Sequence, residues 1–232
     1  MTIKLGVPSK GRLMDKTFSW FAERGLEMRR TGSDREYAAA VDGADVELML
    51  LSAGEIPREL AAGRIHLGVT GSDLVQERIP AWDQTVEIVA PMGFGHADLV
   101  VAVPKCWIDV STLDDLDAVA AAFRARHGFR LRIATKYHRL VREFLRGAGV
   151  ADYQLVDSQG ATEGTVAHGT AEAVADITST GETLRANHLK LLEDGLIHRS
   201  EATLFRARGA SWGENERRAM ADLSRRLDSQ TV

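Results

Sequence analysis

The chain has a single cysteine, Cys106, among 232 residues, so no disulfide can close within it. A lone thiol suits a reducing compartment, and a cytoplasmic location is the expectation. No Cys/His pair has zinc-ligand spacing, and the seven histidines are scattered. No apolar stretch approaches the roughly 20 residues that span a bilayer. The first residues, Met1-Thr2-Ile3-Lys4-Leu5, enter an alternating apolar segment directly, so no secretory leader is expected there. Positive charge is not in excess either. The net charge is -4, which excludes a global field that recruits nucleic acid or an acidic membrane. A nucleotide site in such a chain needs local cations. No internal repeat and no low-complexity segment is present.

What is there is an ordinary globular balance, 44% hydrophobic and 27% charged, long enough for two small lobes. Short β-branched runs alternate with helical patterns. Strands are expected at 3–7, 46–51, 67–70, 86–90, 99–103, 131–134, 153–156, 173–177, 189–192 and 202–205. Helices are expected at 11–24, 55–62 and 137–146, with a tail helix at 214–227. Ser111 and Asp114 read as a capping box for a further helix that stops at Gly128. Gly71-Ser72-Asp73 reads as a turn with a helix cap. Cys106, beside Trp107, reads as a packing residue. The pattern implies an α/β protein with mostly parallel sheets. Residues 91–96, with two glycines and a proline, suit a crossing between lobes.

The most informative stretch is Ala173-Val174-Ala175-Asp176-Ile177-Thr178-Ser179-Thr180-Gly181-Glu182-Thr183. A hydrophobic strand ends at an acid, followed by hydroxyl residues, a glycine and a helix-like run. Backbone N–H groups at a helix start attract anions, and Ser179, Thr180 and Thr183 can donate hydroxyl hydrogen bonds. Gly181 permits close approach and positive φ. Asp176 suits ribose hydroxyls rather than phosphate. An acid for the sugar and a hydroxyl-glycine loop for the phosphate is what a phosphoribosyl ligand requires. Taken alone, the same stretch also reads as a capped strand-to-helix turn.

At this loop the sequence resembles the ATP phosphoribosyltransferase family. The likeness extends through Arg185-Ala186-Asn187-His188-Leu189, Arg132-Ile133-Ala134-Thr135-Lys136-Tyr137, Lys10-Gly11-Arg12-Leu13 and His66-Leu67-Gly68-Val69-Thr70-Gly71-Ser72-Asp73, in order along most of the chain. Ser52-Ala53-Gly54-Glu55-Ile56-Pro57 departs from the family's basic residue before Asp-Ile-Pro, and Glu172 replaces a more usual Asp. The resemblance implies a two-lobed fold of periplasmic-binding-protein type (type II) with a central cleft. Lobe I is expected at 1–94 plus 181–210, lobe II at 95–180, and a C-terminal helix at 211–232.

The resemblance is to the short form, without a C-terminal histidine-sensing domain. That form implies a homo-oligomer working with a regulatory subunit similar to a histidyl-tRNA synthetase core. The substrates implied are ATP and phosphoribosyl pyrophosphate (PRPP), with Mg²⁺ carried by substrate and no metal ligand from the protein. Asp176, Thr178, Ser179, Thr180, Gly181 and Thr183 are expected to hold PRPP. Lys10, Arg12, Gly71, Ser72, Asp73, Arg132, Lys136 and Tyr137 are expected at the nucleotide. Asp176, Lys10 and Glu163 are the residues expected nearest the chemistry. Each has a plainer reading: Lys10 and Arg12 as a solvated basic turn, Gly71 to Asp73 as a helix cap, Glu163 as a surface acid, Arg132 as an ion-pair partner. Two other functions suit the pattern. One is a phosphoribosyltransferase acting on a free base, although those loops carry two adjacent acids and Ala175 precedes Asp176 here. The other is a non-catalytic two-lobed binding protein.

Overall fold

A computed structural model describes residues 2–30, 38–41, 45–158 and 160–228. They divide into two compact units, Met1–Gly95 with Glu201–Val232, and His96–Ser200.

The first unit contains β1 (Ile3–Pro8), α1 (Gly11–Ala22), β2 (Met28–Arg30), β3 (Ala38–Val41), β4 (Val46–Leu51), α2 (Ile56–Ala61), β5 (Leu67–Gly71), α3 (Ser72–Arg78), α4 (Trp82–Thr85) and β6 (Val86–Pro91). The second contains β7 (Ala97–Pro104), α5 (Leu113–His127), β8 (Leu131–Thr135), α6 (His138–Gly147), β9 (Tyr153–Asp157), α7 (Gly164–Ala167), β10 (Ala173–Thr178), α8 (Glu182–Ala186) and β11 (Leu189–Ser200). The chain then returns to the first unit as β12 (Ala202–Ala207) and α9 (Glu214–Asp228).

The first sheet runs β2-β3-β4-β1-β5-β12-β6. Its central strand β1 is parallel to both β4 and β5. β1 and β5 are almost wholly buried, as continuous apolar runs covered on both faces should be. One face packs Leu5, Phe21, Leu48 and Leu204 with Leu223 and Leu227 of α9; the other packs Ile56, Leu60, Val75 and Phe205. Each such large side chain removed from water stabilises the fold by about 1.5–3 kcal/mol. Gly6 and Gly68 are register partners across β1 and β5. A Cβ at Gly68 would lie 2.6 Å from Ile56 Cγ2, and one at Gly6 2.8 Å from Ile65 Cδ1. Glycine at both positions therefore lets this layer approach the sheet closely.

The second sheet runs β11-β7-β10-β8-β9. Here β8 is the strand with two parallel neighbours, β10 and β9, while β7 runs antiparallel to β10 and to β11. The architecture is α/β, but both sheets are mixed. The expectation of mostly parallel pairing holds only for the ladders around β1 and β8. The β2–β3–β4 meander and the return strands β7, β11 and β12 supply antiparallel pairs.

The expected domain limits shift as well. Residues 181–200 belong to the second unit, because β11 pairs along β7 over Leu189 to Ser200. The tail helix is part of the first unit's core rather than a separate segment, since Met220, Leu223 and Leu227 are buried there; residues 229–232 of that assignment lie outside the described residues. The cap of α5 sits one residue later than read. Thr112 and Asp115 form the box, and Gly128 closes the helix with φ 79°. Cys106 is exposed, not packed.

Candidate active site

Parallel strands bring their carboxyl ends to one edge of a sheet, where α/β proteins place ligand-binding turns. In the second unit, β9, β8 and β10 deliver three turns to such an edge. These are 157–158 with 160–164, 135–138 and 176–182. The register fixes this, with Ala175 opposite Thr135 and Thr135 opposite Asp157.

The turn after β10 is built by its own hydroxyls. Ala173, Val174 and Ala175 are fully buried, which anchors the strand, and Asp176 beyond them is half-buried. One Asp176 oxygen, Oδ1, accepts from the Ile177 N–H at 2.9 Å. Thr178 Oγ1 accepts from the Gly181 N–H at 2.8 Å, and Thr180 Oγ1 from the Glu182 N–H at 3.3 Å. A hydroxyl that accepts in this way still has its own proton to donate. Ser179 differs, because its Oγ donates to the His96 carbonyl at 3.3 Å. Gly181 caps α8 with φ 72° and ψ 3°, a left-handed conformation that costs other residues about 1–2 kcal/mol. The side chains of Ser179, Thr180 and Thr183 are exposed.

Arg185 was given no role from sequence, yet it holds this turn. Its Nη2 donates to the Thr180 carbonyl at 2.9 Å, and a Cβ at Gly181 would meet its Nη1 at 2.9 Å. The signal was available, since Arg185 lies four residues after Gly181 on one helix face.

The neighbouring turns behave differently. Lys136 is exposed, but its Nζ donates to the Gly160 carbonyl at 2.6 Å. Tyr137 is buried at the start of α6, and its N–H donates to the buried Thr135 Oγ1 at 3.0 Å. Glu163 caps α7, half-buried, next to the buried Ser158–Thr162 hydroxyl pair. His138 Nε2 lies 2.6 Å from Asp157 Oδ1. Arg132 does not reach this edge. It is the second residue of β8, and its guanidinium is bidentate on Glu172 and also donates to the Gly169 carbonyl. The Arg132 N–H donates to Glu172 Oε2 as well. Burial pushes the Glu172 carboxyl up, but the Arg132 hydrogen bonds and charge outweigh it, and the carboxyl ends below its ordinary value. The Glu172 hydrogen bond, in turn, raises Arg132 above its ordinary value.

In the first unit, β4, β1 and β5 bring Ser52 to Glu55, Lys10 to Arg12 and Gly71 to Asp73 to the carboxyl edge of that sheet. The Ser9 N–H donates to the Leu51 carbonyl at 2.7 Å, and the Ser72 N–H to the Glu201 carbonyl at 3.1 Å. Lys10 precedes α1 in an extended conformation, and Gly11 follows with φ 74° and open space around its Cα. Lys10 and Arg12 are exposed, and neither side chain has a partner among the described residues. Gly71 is the cap of α3, with Ser72 and the buried Asp73 in its first turn. At the Ser52 to Pro57 departure, the Ser52 N–H donates to Glu55 Oε2 at 3.0 Å. The Ser52 hydroxyl and, after it, this N–H hold the Glu55 carboxyl below its ordinary value.

A family model described as ATP phosphoribosyltransferase matches residues 52–229. The chain belongs to the ATP phosphoribosyltransferase family. It is 74% identical over 215 residues to the ATP phosphoribosyltransferase of Cereibacter sphaeroides, covering 92% of this chain and 91% of that one. It is 55% identical to that of Chelativorans sp. strain BNC1, covering 94% and 95%. Against the Bradyrhizobium sp. strain ORS 278 protein, at 51% identity, it covers 92% of this chain and 66% of the relative. The fold is that of the ATP phosphoribosyl transferase (HisG:HisZ) complex from Thermotoga maritima, with a TM-score of 0.73 at 20% identity, covering 98% and 97%. It is also that of a histidine kinase sensor domain with similarity to periplasmic binding proteins, with a TM-score of 0.52 at 13% identity, covering 98% and 87%.

An ATP phosphoribosyltransferase is a pentosyltransferase. It joins ATP to PRPP, giving N1-(5-phosphoribosyl)-ATP and pyrophosphate at the first step of histidine biosynthesis. No group of three or more His, Cys, Asp or Glu side chains among the described residues is arranged to hold a metal. No described helix is long and apolar enough to cross a membrane.

Proposed function

We propose that the turn from Asp176 to Thr183 holds the phosphoribosyl group of PRPP in the ATP phosphoribosyltransferase reaction. The observation that carries this is the left-handed Gly181 at the start of α8, flanked by the Thr178 and Thr180 hydroxyls, which accept backbone N–H groups and so keep a proton to donate. Thr178, Thr180 and Thr183 donate to the 5′-phosphate, with the backbone at Gly181 drawn close to it. Ser179 contributes less, because its proton is engaged with His96. Asp176 Oδ2, which has no partner among the described residues, accepts from the ribose hydroxyls.

Adenine N1 carries a lone pair already, so the attack on C1 needs no strong base. The work of the protein is alignment and stabilisation of charge as the C1–O bond breaks. Lys10 and Arg12, two cations with no partner among the described residues, meet the phosphate oxygens of pyrophosphate or ATP. Gly71, Ser72 and Asp73 contact nucleotide, as do Lys136 once released from Gly160 and the buried Tyr137. Glu163 orients ribose or a metal-bound water. Arg132 is assigned to structure, through Glu172. Mg²⁺ carried by substrate would supply neutralisation of the charge on the leaving pyrophosphate. A hard cation held mostly by phosphate oxygens and water requires few protein ligands, and the carboxylates of Asp176 and Glu163 are donors of the right kind.

The setting is a cytoplasmic homo-oligomer that also assembles with a regulatory subunit similar to a histidyl-tRNA synthetase core. The Thermotoga maritima structure, titled as a HisG:HisZ complex, supports that assembly. The test is pyrophosphate release from PRPP with ATP, adenine or guanine, with and without the regulatory protein. Turnover with ATP alone among the three is expected. The isolated chain should be weakly sensitive to histidine, and strong inhibition without a second subunit would overturn the partner assignment.

A further inference from the structure

We propose a second binding site in the His96–Ser200 unit, at the opposite end of its sheet from the Asp176 turn, for a small phosphate-bearing anion. A pocket of about 440 Å³ is lined by Arg130, Arg142 and Arg146 together with Tyr153 and Gln154. Its place follows from the topology. Tyr153 begins β9 and Arg130 precedes β8, so both stand at the amino edge of the parallel strands, whereas Asp176, Lys136 and Glu163 stand at or beyond the carboxyl ends. Helix α6 runs back from the carboxyl edge, which places Arg142 and Arg146 over the amino edge.

Arg142 and Arg146 are four residues apart, so their stems share one helix face, and like charges at that spacing repel. Neither guanidinium has an ion pair or hydrogen bond among the described residues. The nearby acids serve other cations: Asp152 pairs with Arg124 and, at 4.0 Å, with Arg130, and Glu143 pairs with Arg139, which leaves Arg142 and Arg146 as the two uncompensated charges of the pocket among the described residues. Favourable contact with the end of the α6 dipole accounts for one cation in the last turn. It does not account for Arg142 facing the same concavity beside Arg146 and Arg130. Burial pushes the Tyr153 phenol up, and the field of Arg142 and Arg146 opposes that rise, which sets both charges beside a hydroxyl that stays a neutral donor. Guanidinium forks match phosphate oxygens in pairs, and a phenol adds a further donor.

The test is an NMR titration of the full chain with inorganic phosphate, following the Arg142 and Arg146 Nε–H signals and the Tyr153 ring. Saturable shifts at these groups are expected. In the double variant Arg142→Ala with Arg146→Ala, apparent affinity at the Tyr153 probe should fall by at least about tenfold, the loss of one charge-assisted contact or more. Backbone shifts of residues 178–183 on phosphate addition should persist in that variant. Shifts confined to residues 178–183 in the wild type, a linear response at Tyr153, or full affinity in the double variant would each overturn the assignment. Both substituted side chains are exposed, so the variant is expected to fold, and retained wild-type thermal unfolding checks this.

Discussion

β1 and β8 occupy matching places, each the strand with parallel neighbours on both sides, and in or just after each lie two cations that the family resemblance marks as nucleotide contacts. Their fates differ. Lys10 and Arg12 extend beyond the end of β1 with no partner among the described residues. Arg132, inside β8, is held by Glu172 and Gly169, and Lys136, just past its end, reaches the Gly160 carbonyl. A charge without a partner keeps its full capacity for a ligand. A charge already bonded must first break that bond, which offsets what the ligand gains. Position in the fold is therefore not enough to assign a ligand contact.

The largest effects are expected at the turn from Asp176 to Thr183. Asp176→Ala and Thr180→Ala should each lower kcat/KM for PRPP by more than about tenfold, the scale of one lost hydrogen bond to a charged group. Circular dichroism and thermal unfolding should stay near wild type. Wild-type kinetics in either variant would remove the phosphoribosyl group from this turn. Ser179→Ala, whose hydroxyl is committed to His96, should cost about threefold or less.

The cations sharpen the contrast next. Lys10→Ala should reduce kcat/KM by about tenfold with no change in unfolding midpoint, whereas Lys136→Ala should reduce it by less than about threefold. Equal losses from the two would erase the distinction drawn here. Arg132→Ala should act on stability instead, costing about 1–3 kcal/mol in urea unfolding by leaving the half-buried Glu172 unpaired.

The smallest effect concerns pH. The folded state holds the Glu172 carboxyl below its ordinary value, so its contribution to stability is present above the ordinary carboxylate range. That contribution is lost as pH falls through the lowered value. The stability gap between wild type and Glu172→Gln, about 1 kcal/mol at neutral pH, should narrow on acidification. A gap that is constant or widens as pH falls would show that the pair does not act through Glu172 ionisation.

Much of the fold was legible in the sequence because its central strands are continuous apolar runs bounded by glycine turns. The strands at 3–7, 67–70, 131–134 and 173–177 fall inside β1, β5, β8 and β10, whose burial leaves little freedom in assignment. The three-residue β2 has no apolar run of its own, and the Ala38–Val41 run of β3 is only four residues long; β3 is fixed by pairing with β4 and β2 by pairing with β3. β11 extends to Ser200 through exposed Glu193 and Asp194, which carry no strand signal. Its register slips between Leu191 and Leu196 before pairing resumes with β7. The domain limits were misplaced for the same reason, since partner choice along β7 is not written in local pattern.

The sequence by itself determined the turn at Asp176 to Gly181. A hydroxyl two or three residues before a backbone N–H and a glycine able to take positive φ are local facts, set by steric and hydrogen-bond geometry within six residues. It also determined that each sheet would be built on a buried parallel core. Only the tertiary structure decided which charges remain free. Glu172 reaches Arg132 from 40 residues away, and Gly160 reaches Lys136 from 24. Pairing of that kind depends on strand register, and register is settled by burial across the whole sheet rather than by any neighbour in sequence.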